Sequence, residues 1–214
     1  MKSRFGFILI ACVVVFGAIL FLQKKDASAP NDDGKAGNTT SQHVKGENAK
    51  KVTLTEYGDF QCPACGGYYP IVESVVEKYK ADIEFQFVNF PLTQIHPNAM
   101  LAHRSAEAAS NQGKFWEMYK LLYENQTTWT SMASTQAASA FRSYAESLNL
   151  DMSKFDTDQK SSAVNELINA DISKGKGLGV TSTPSFFVNG KKIENPKDQD
   201  AFNKVIEDAI KAAQ

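Results

Sequence analysis

Two cysteines separated by two residues, Cys62 and Cys65, constrain this chain more than any other feature. They lie between an apolar, strand-like run at residues 52–60 and a helical run at residues 66–80. If a helix begins at the first cysteine, unpaired backbone N–H groups and the positive end of the helix dipole face its sulfur. Thiolate is then favoured over thiol, and thiolate is the species that attacks disulfides. Pro63 suits the first helical turn, because it lacks the N–H that would stay unpaired there.

Such a cysteine pair has three interpretations: half of a zinc site, a structural disulfide, or a redox-active dithiol. A structural zinc site needs four ligands, and the only other cysteine, Cys12, lies in an apolar N-terminal run. The three histidines show no paired ligand spacing with the cysteine pair, and His43 is expected in a linker. One of His96 and His103 could lie near the dithiol, but a position on a helix surface or at the edge of the core is expected for both. A disulfide across so short a loop would stabilise the fold weakly. The redox interpretation is favoured, and no metal is expected.

The N-terminal residues 1–25 predict a membrane anchor. Residues 5–22 form an uncharged run of 18 residues, long enough to span a bilayer. Residues 27–29 offer a small-residue cleavage site, but lysines precede it and Pro30 follows it, so we expect an uncleaved anchor. Cys12 also lies in a sequence similar to the lipid-attachment box of bacterial lipoproteins, although the apolar run continues beyond it.

Composition divides the rest of the chain into a linker and a globular domain. Residues 26–51 are rich in small and polar residues and hold one aliphatic residue, Val44, which predicts a flexible linker. Residues 52–214 are long enough for one well-buried domain. Beyond residue 25 the chain has 19 basic and 24 acidic residues, a net charge of −5, which gives no support to nucleic-acid binding.

A single carboxylate stands out in the strand before the cysteines. Val52, Leu54 and Glu56 alternate with polar residues, so Glu56 shares the apolar face of the strand. A buried carboxyl group has a raised pKa, and beneath a dithiol it can take a proton from the second cysteine. The alternative is an ordinary solvent-facing strand residue.

Further apolar patterns predict the remaining elements. Residues 83–90 alternate as a second strand, and residues 97–176 form a helical block. A third strand follows Thr183-Pro184 and leads through an Asn-Gly hairpin to a partner strand at residues 191–194. An amphipathic helix at residues 198–213 closes the chain. The helices predicted within the block span residues 97–112, 115–123, 135–148 and 153–173.

This order of elements resembles the DsbA-type thiol–disulfide oxidoreductases of bacterial cell envelopes. The resemblance rests on Cys62-Pro63-Ala64-Cys65, on Glu56 six residues before the first cysteine, and on Thr183-Pro184 at the position of the family's cis-proline turn. It implies an α/β thioredoxin fold, with a central mixed β-sheet flanked by helices, over residues 52–214. It also implies an all-helical insertion at about residues 95–176.

The resemblance also assigns roles to residues. Cys62 would be the nucleophile and Cys65 the buried resolving thiol. Pro184, predicted cis, would pack across the disulfide, and Thr183 would offer its backbone to a substrate strand. Ala64 stands where the best-known member has histidine, which should raise the pKa of Cys62 and make the disulfide less oxidising. We therefore expect a potential between the roughly −270 mV of thioredoxin and the roughly −120 mV of DsbA.

The implied function is the oxidation of cysteines in reduced or unfolded exported proteins. The domain would lie outside the cytoplasm on a single-pass membrane anchor, and a quinone-linked membrane partner would reoxidise it. No cofactor and no nucleic acid are implied. Two alternatives remain: a reductase or disulfide isomerase with the same site, and a non-catalytic envelope adaptor or chaperone.

Overall fold

The computed structural model describes residues 40–214, so the predicted anchor, Cys12 and residues 26–39 of the predicted linker lie outside the described residues. Within 40–214, no helix is both long enough and apolar enough to cross a membrane. The elements in chain order are β1 (His43–Lys45), β2 (Val52–Gly58), α1 (Pro63–Tyr79), β3 (Ile83–Asn89), α2 (Ala99–Ser110), α3 (Phe115–Glu124), α4 (Gln126–Trp129), α5 (Ser134–Ser147), α6 (Met152–Gln159), α7 (Ser162–Gly177), β4 (Ser185–Val188), β5 (Lys191–Lys192) and α8 (Gln199–Ala212).

The five strands within residues 40–214 form one mixed sheet in the order β1-β3-β2-β4-β5. Strands β2 and β3 are parallel, and every other neighbouring pair is antiparallel. The carboxyl ends of β2 and β3 and the amino end of β4 therefore meet at one edge of the sheet. Helix α1 follows β2 at that edge. The predicted fold class, a mixed sheet with flanking helices and a helical insertion, is confirmed.

Alternation along β2 separates two apolar clusters. Val52 and Leu54 face the larger cluster, which contains residues of α1, of the insertion and of α8. Tyr57 faces the smaller cluster on the opposite side, with Phe90 and Phe187. The sheet is thus buried on both faces near the edge where the dithiol lies.

The helical block departs from prediction at two points, the first being that the short helix α4 lies where no helix was expected. Residues 153–173 were expected to form a single helix, but the chain has two helices there, α6 and α7, separated at Lys160 and Ser161. The Ser161 hydroxyl accepts a hydrogen bond from the backbone N–H of Val164 at 3.2 Å. This N-cap starts a new helix, a local signal that the apolar spacing alone does not reveal.

The predicted linker ends too late. Part of residues 40–51 belongs to the fold, because β1 pairs with β3, and His43 is buried. The His43 ring stacks on Phe115 with centroids 3.4 Å apart, and its Nε2 lies 2.7 Å from Oε1 of Glu107. Val44, the large aliphatic residue of the segment, is exposed. Composition does not predict strand β1, because its polar side chains are held in place by partners far along the chain.

We predict that His43→Ala destabilises the domain, because it removes a stacked ring and leaves the buried Glu107 carboxylate without that partner. The unfolding free energy in urea should fall by about 1–3 kcal/mol. Val44→Ala, in the same strand but with an exposed side chain, is the control and should change it by no more than about 0.5 kcal/mol. Equal effects of the two substitutions would contradict this account of β1.

Candidate active site

The two cysteines differ in their access to solvent. Cys62 is the N-cap of α1, with an extended backbone, and Pro63 is the first helical residue. Cys62 retains 7% of its surface, whereas Cys65 has none, and both are free thiols. Pro63 and Ala64 between them are exposed. Of the two cysteines, only Cys62 keeps any exposed surface.

The surroundings of Cys62 favour its thiolate. Its pKa is lowered from 9.0 to about 5, chiefly by a hydrogen bond with the Cys65 side chain and further by a bond with Thr183 and by the N–H groups of Cys65 and Ala64, against the effect of burial. As a thiol, Cys62 donates to the backbone oxygen of Thr183 at 3.4 Å. A thiolate has no proton to donate, and the Thr183 hydroxyl, buried without another partner, can then turn to donate to it.

Cys65 has the opposite tendency. Burial raises its pKa well above 9.0, and the bond with Cys62 and the negative charges of Glu56 and Cys62 raise it further. The backbone N–H of Asp59, 3.5 Å from the Cys65 sulfur, offsets part of this. At neutral pH the reduced pair is therefore a thiolate at Cys62 that accepts a hydrogen bond from a thiol at Cys65.

Glu56 lies beneath the dithiol with 2% of its surface exposed. Burial raises the pKa of its carboxyl from 4.5 to about 8, as do the negative charges of Cys62 and Glu73, while Lys45 lowers it. Lys45 pairs with Glu73 and lies 4.6 Å from the centre of the Trp116 ring. The raised pKa expected for a carboxyl on the apolar face of this strand is confirmed.

Strand pairing brings Thr183 to Cys62 across 121 residues of sequence. Strand β4 runs antiparallel to β2, with Ser185 opposite Tyr57, so the residues just before β4 reach the dithiol edge. The Thr183–Pro184 peptide bond is cis, as the resemblance implied, and both residues are buried.

Sequence reasoning missed Asp59, which organises the loop between β2 and α1. Its fully buried carboxylate accepts hydrogen bonds from the backbone N–H groups of Gln61 at 2.8 Å and Leu92 at 2.9 Å, and lies 2.7 Å from Nδ1 of His96. The position of Asp59 between the strand and the dithiol could have marked it as a site residue from the sequence. The sequence left open that His96 or His103 lies near the dithiol, but it did not connect His96 to Asp59, 37 residues away, because the contact exists only once β3 lies beside β2.

The prediction for His103 was wrong, since this residue lies fully inside the core rather than at its edge. Its Nδ1 is 2.6 Å from the Asn89 side-chain oxygen. Burial lowers its pKa from 6.5 to about 4, so the ring is neutral at physiological pH. His103 is a polar core residue whose ring packs against that of Phe60, with ring centroids 4.7 Å apart.

We predict that Thr183→Val raises the pKa of Cys62, because it removes a hydroxyl that can donate to the thiolate. Thiolate absorbance of the reduced protein, followed against pH, should show the midpoint moving up from about 5. Ser185→Ala is the matched control: this hydroxyl bonds to the backbone oxygen of Ser182, so its loss should leave the midpoint unchanged. Identical midpoints for wild type and the valine variant would show that the Thr183 hydroxyl does not stabilise the Cys62 thiolate.

We predict that Glu56→Gln changes how stability depends on pH. The folded protein holds the Glu56 proton up to about pH 8, whereas the unfolded chain releases it near 4.5, so stability falls as pH rises through this window. The glutamine variant lacks this loss. For the reduced proteins, it should match wild type near pH 4 and exceed it above pH 8 by on the order of 5 kcal/mol. A constant difference from pH 4 to pH 9 in urea unfolding would contradict the raised pKa.

Comparison with known proteins places this geometry in a family. A family model described as Thioredoxin matches residues 38–208. Among curated proteins, the chain is 34% identical over 171 residues to the Na(+)/H(+) antiporter NhaA 3 of Salinispora tropica and 34% identical over 169 residues to NhaA 1 of Mycolicibacterium gilvum. These matches cover 80% and 77% of this chain but only 25% and 26% of the antiporters. The chain spans about a quarter of these relatives, so the similarity concerns one region of them.

Solved structures show the same fold. Oxidised BdbD from Bacillus subtilis has a TM-score of 0.69 and 24% identity, covering 79% of this chain and 93% of its own. The alpha-DsbA1 of Wolbachia pipientis has a TM-score of 0.68 and 19% identity, covering 79% and 91%. The chain thus belongs to the thioredoxin family, and its fold is that of the DsbA-type thiol–disulfide oxidoreductases.

Proposed function

We propose that this protein is a thiol–disulfide oxidoreductase that oxidises pairs of substrate cysteines to disulfides. The observation that carries the proposal is the opposite shift of two neighbouring thiols: the pKa of Cys62 is lowered to about 5, and that of Cys65 is raised well above 9.0. An accessible thiolate beside a buried thiol is what attack and resolution require.

The reaction starts from the Cys62–Cys65 disulfide. A substrate thiolate attacks the Cys62 sulfur, and the electron pair of the broken S–S bond leaves on Cys65. That sulfur takes a proton from Glu56, whose pKa of about 8 keeps the carboxyl protonated at neutral pH. A second substrate thiolate then attacks the substrate sulfur of the mixed disulfide, and Cys62 leaves as a thiolate. The substrate loses two electrons, and the dithiol gains them.

The low pKa of Cys62 supports oxidation as the net direction. A stabilised thiolate stabilises the reduced form, and a redox pair with a stabilised reduced form is a strong oxidant. The Cys65 thiol and the amino end of α1 supply this stabilisation without the histidine that Ala64 replaces. The potential expected for this pair stays between those of thioredoxin and DsbA.

Thr183 is compatible with a second candidate, a reductase or disulfide isomerase with the same site, because threonine before the cis-proline occurs in some reductive relatives. Electrons would then flow from Cys62 and Cys65 to the substrate, and a membrane donor would supply them. The equilibrium with glutathione separates the two, since a potential near that of thioredoxin favours the reductase. A non-catalytic adaptor would tolerate loss of both cysteines.

The location proposed for this activity is the outer face of the cell membrane. Residues 5–22 supply a run long enough to span the bilayer, and the following residues would tether the domain. Exported proteins that arrive reduced or unfolded are the proposed substrates, and a quinone-linked membrane protein is the proposed oxidant for the spent dithiol.

We predict that the oxidised protein forms disulfides in a reduced, unfolded substrate protein, and that the Cys62→Ser variant does not. Cys65→Ser should accumulate a mixed disulfide through Cys62 when mixed with an oxidised substrate peptide, because the resolving thiol is missing. Non-reducing electrophoresis and mass spectrometry detect both outcomes. If wild type is as inert as Cys62→Ser, the proposed function is wrong.

A further inference from the structure

A glutamine of the helical insertion bonds directly to the loop that carries the dithiol. Gln126, the first residue of α4, is buried. Its side-chain Nε2 donates to the backbone oxygens of Phe60 at 2.9 Å and Cys62 at 2.8 Å. The two hydrogens of this amide are thus used on the residues on either side of Gln61, at the amino end of α1.

Gly66 makes room for this amide. The backbone N–H of Gly66 donates to the Cys62 oxygen at 3.1 Å, so that oxygen accepts one bond from α1 and one from Gln126. A Cβ atom at position 66 would lie 2.1 Å from Oε1 of Gln126, whereas one at Gly67 would have nothing within 4 Å. The carboxamide could swing away from a side chain at 66 only by giving up its two bonds.

A reciprocal bond joins the loop to the other end of the same short helix. Nε2 of Gln61 donates to the backbone oxygen of Thr130 at 3.0 Å, and its Oε1 accepts from the N–H of Asn98 at 2.6 Å. Trp129 fixes α4 in the core, fully buried, with its ring N–H bonded to Leu122 at 2.8 Å. Side-chain bonds in both directions therefore hold α4 against residues 60–62.

We propose that Gln126 is a positioning residue for Cys62, acting through the Phe60 and Cys62 carbonyls, in the reaction proposed above. The positive N–H end of its amide faces the negative oxygen of the Cys62 carbonyl, which stands beside the reactive sulfur. Neutralising that oxygen leaves the amino end of α1 more positive towards the sulfur. The bonds also fix the backbone of Cys62, so the sulfur stays within reach of Thr183 and Cys65.

Removing the Gln126 amide should then change the stability of the thiolate at Cys62. The thiolate of Cys62 becomes less stable, its pKa rises, and the reduced form loses part of its advantage over the disulfide. Gln126→Met keeps the length of the side chain and removes the donors. Gly66→Ala displaces the same amide while leaving position 126 unchanged, so two independent substitutions test one contact.

The experiment compares full-length wild type, Gln126→Met, Gly66→Ala and the control Gly67→Ala, one residue further along the helix. The glutathione equilibrium of Gln126→Met and of Gly66→Ala should shift about threefold to tenfold towards the disulfide, the range for one hydrogen bond, and the thiolate titration should move to higher pH. Gly67→Ala should leave both unchanged. A double variant, Gly66→Ala with Gln126→Ala, should regain stability relative to Gly66→Ala without regaining the wild-type equilibrium.

Three results overturn the inference. If Gln126→Met and Gly66→Ala lower stability but leave the titration and the glutathione equilibrium at wild-type values, Gln126 has a structural role alone, and the proposed function stands. If the shifts of the two substitutions add in a combined Gly66→Ala, Gln126→Met variant, they act on separate contacts, and the inference fails. A wild-type Cys62 that titrates as a free cysteine overturns the proposed function, and this inference with it.

Discussion

The hydrogen bond between the Cys65 thiol and the Cys62 sulfur is the interaction on which the site depends. It is the largest contribution that lowers the pKa of Cys62 and one of those that raise the pKa of Cys65. This contact, together with the burial of Cys65, therefore separates the two thiols into a thiolate and a buried proton donor. It needs a helix that begins at Cys62, because only the first helical turn brings residue 65 back over residue 62 while backbone N–H groups still face the sulfur.

The rest of the site buries the cysteine pair and places few charges near it that would offset the cost of burial. Glu56 stays protonated because burial outweighs the help of Lys45. The Asp59 carboxylate can lie fully buried next to the dithiol because two backbone N–H groups and His96 bond to it. The two carboxyl groups next to the dithiol thus differ in environment: Asp59 has hydrogen-bond partners on each oxygen, whereas burial raises the pKa of Glu56 to about 8.

The helical insertion is bonded to the loop that carries the dithiol as well as covering the sheet. Through Gln126 it bonds to the backbone on both sides of Gln61, and through Thr130 it receives a bond in return. A thioredoxin sheet without the insertion would leave these backbone groups without those partners. This gives a physical reason for the insertion to affect the redox properties of the cysteine pair.

The sequence by itself determined the local features: the dithiol at a helix start, the carboxylate on an apolar strand face, the order of elements and the turn before β4. Each depends on residues within about ten positions of one another, so periodicity and motif spacing report them. Only the tertiary structure decided that His43 is buried, that His96 lies against Asp59, and that Gln126 bonds to the Cys62 carbonyl. These contacts join residues 37 to 64 positions apart, and polar side chains meet at such separations only after sheet pairing and helix packing have fixed where each backbone runs.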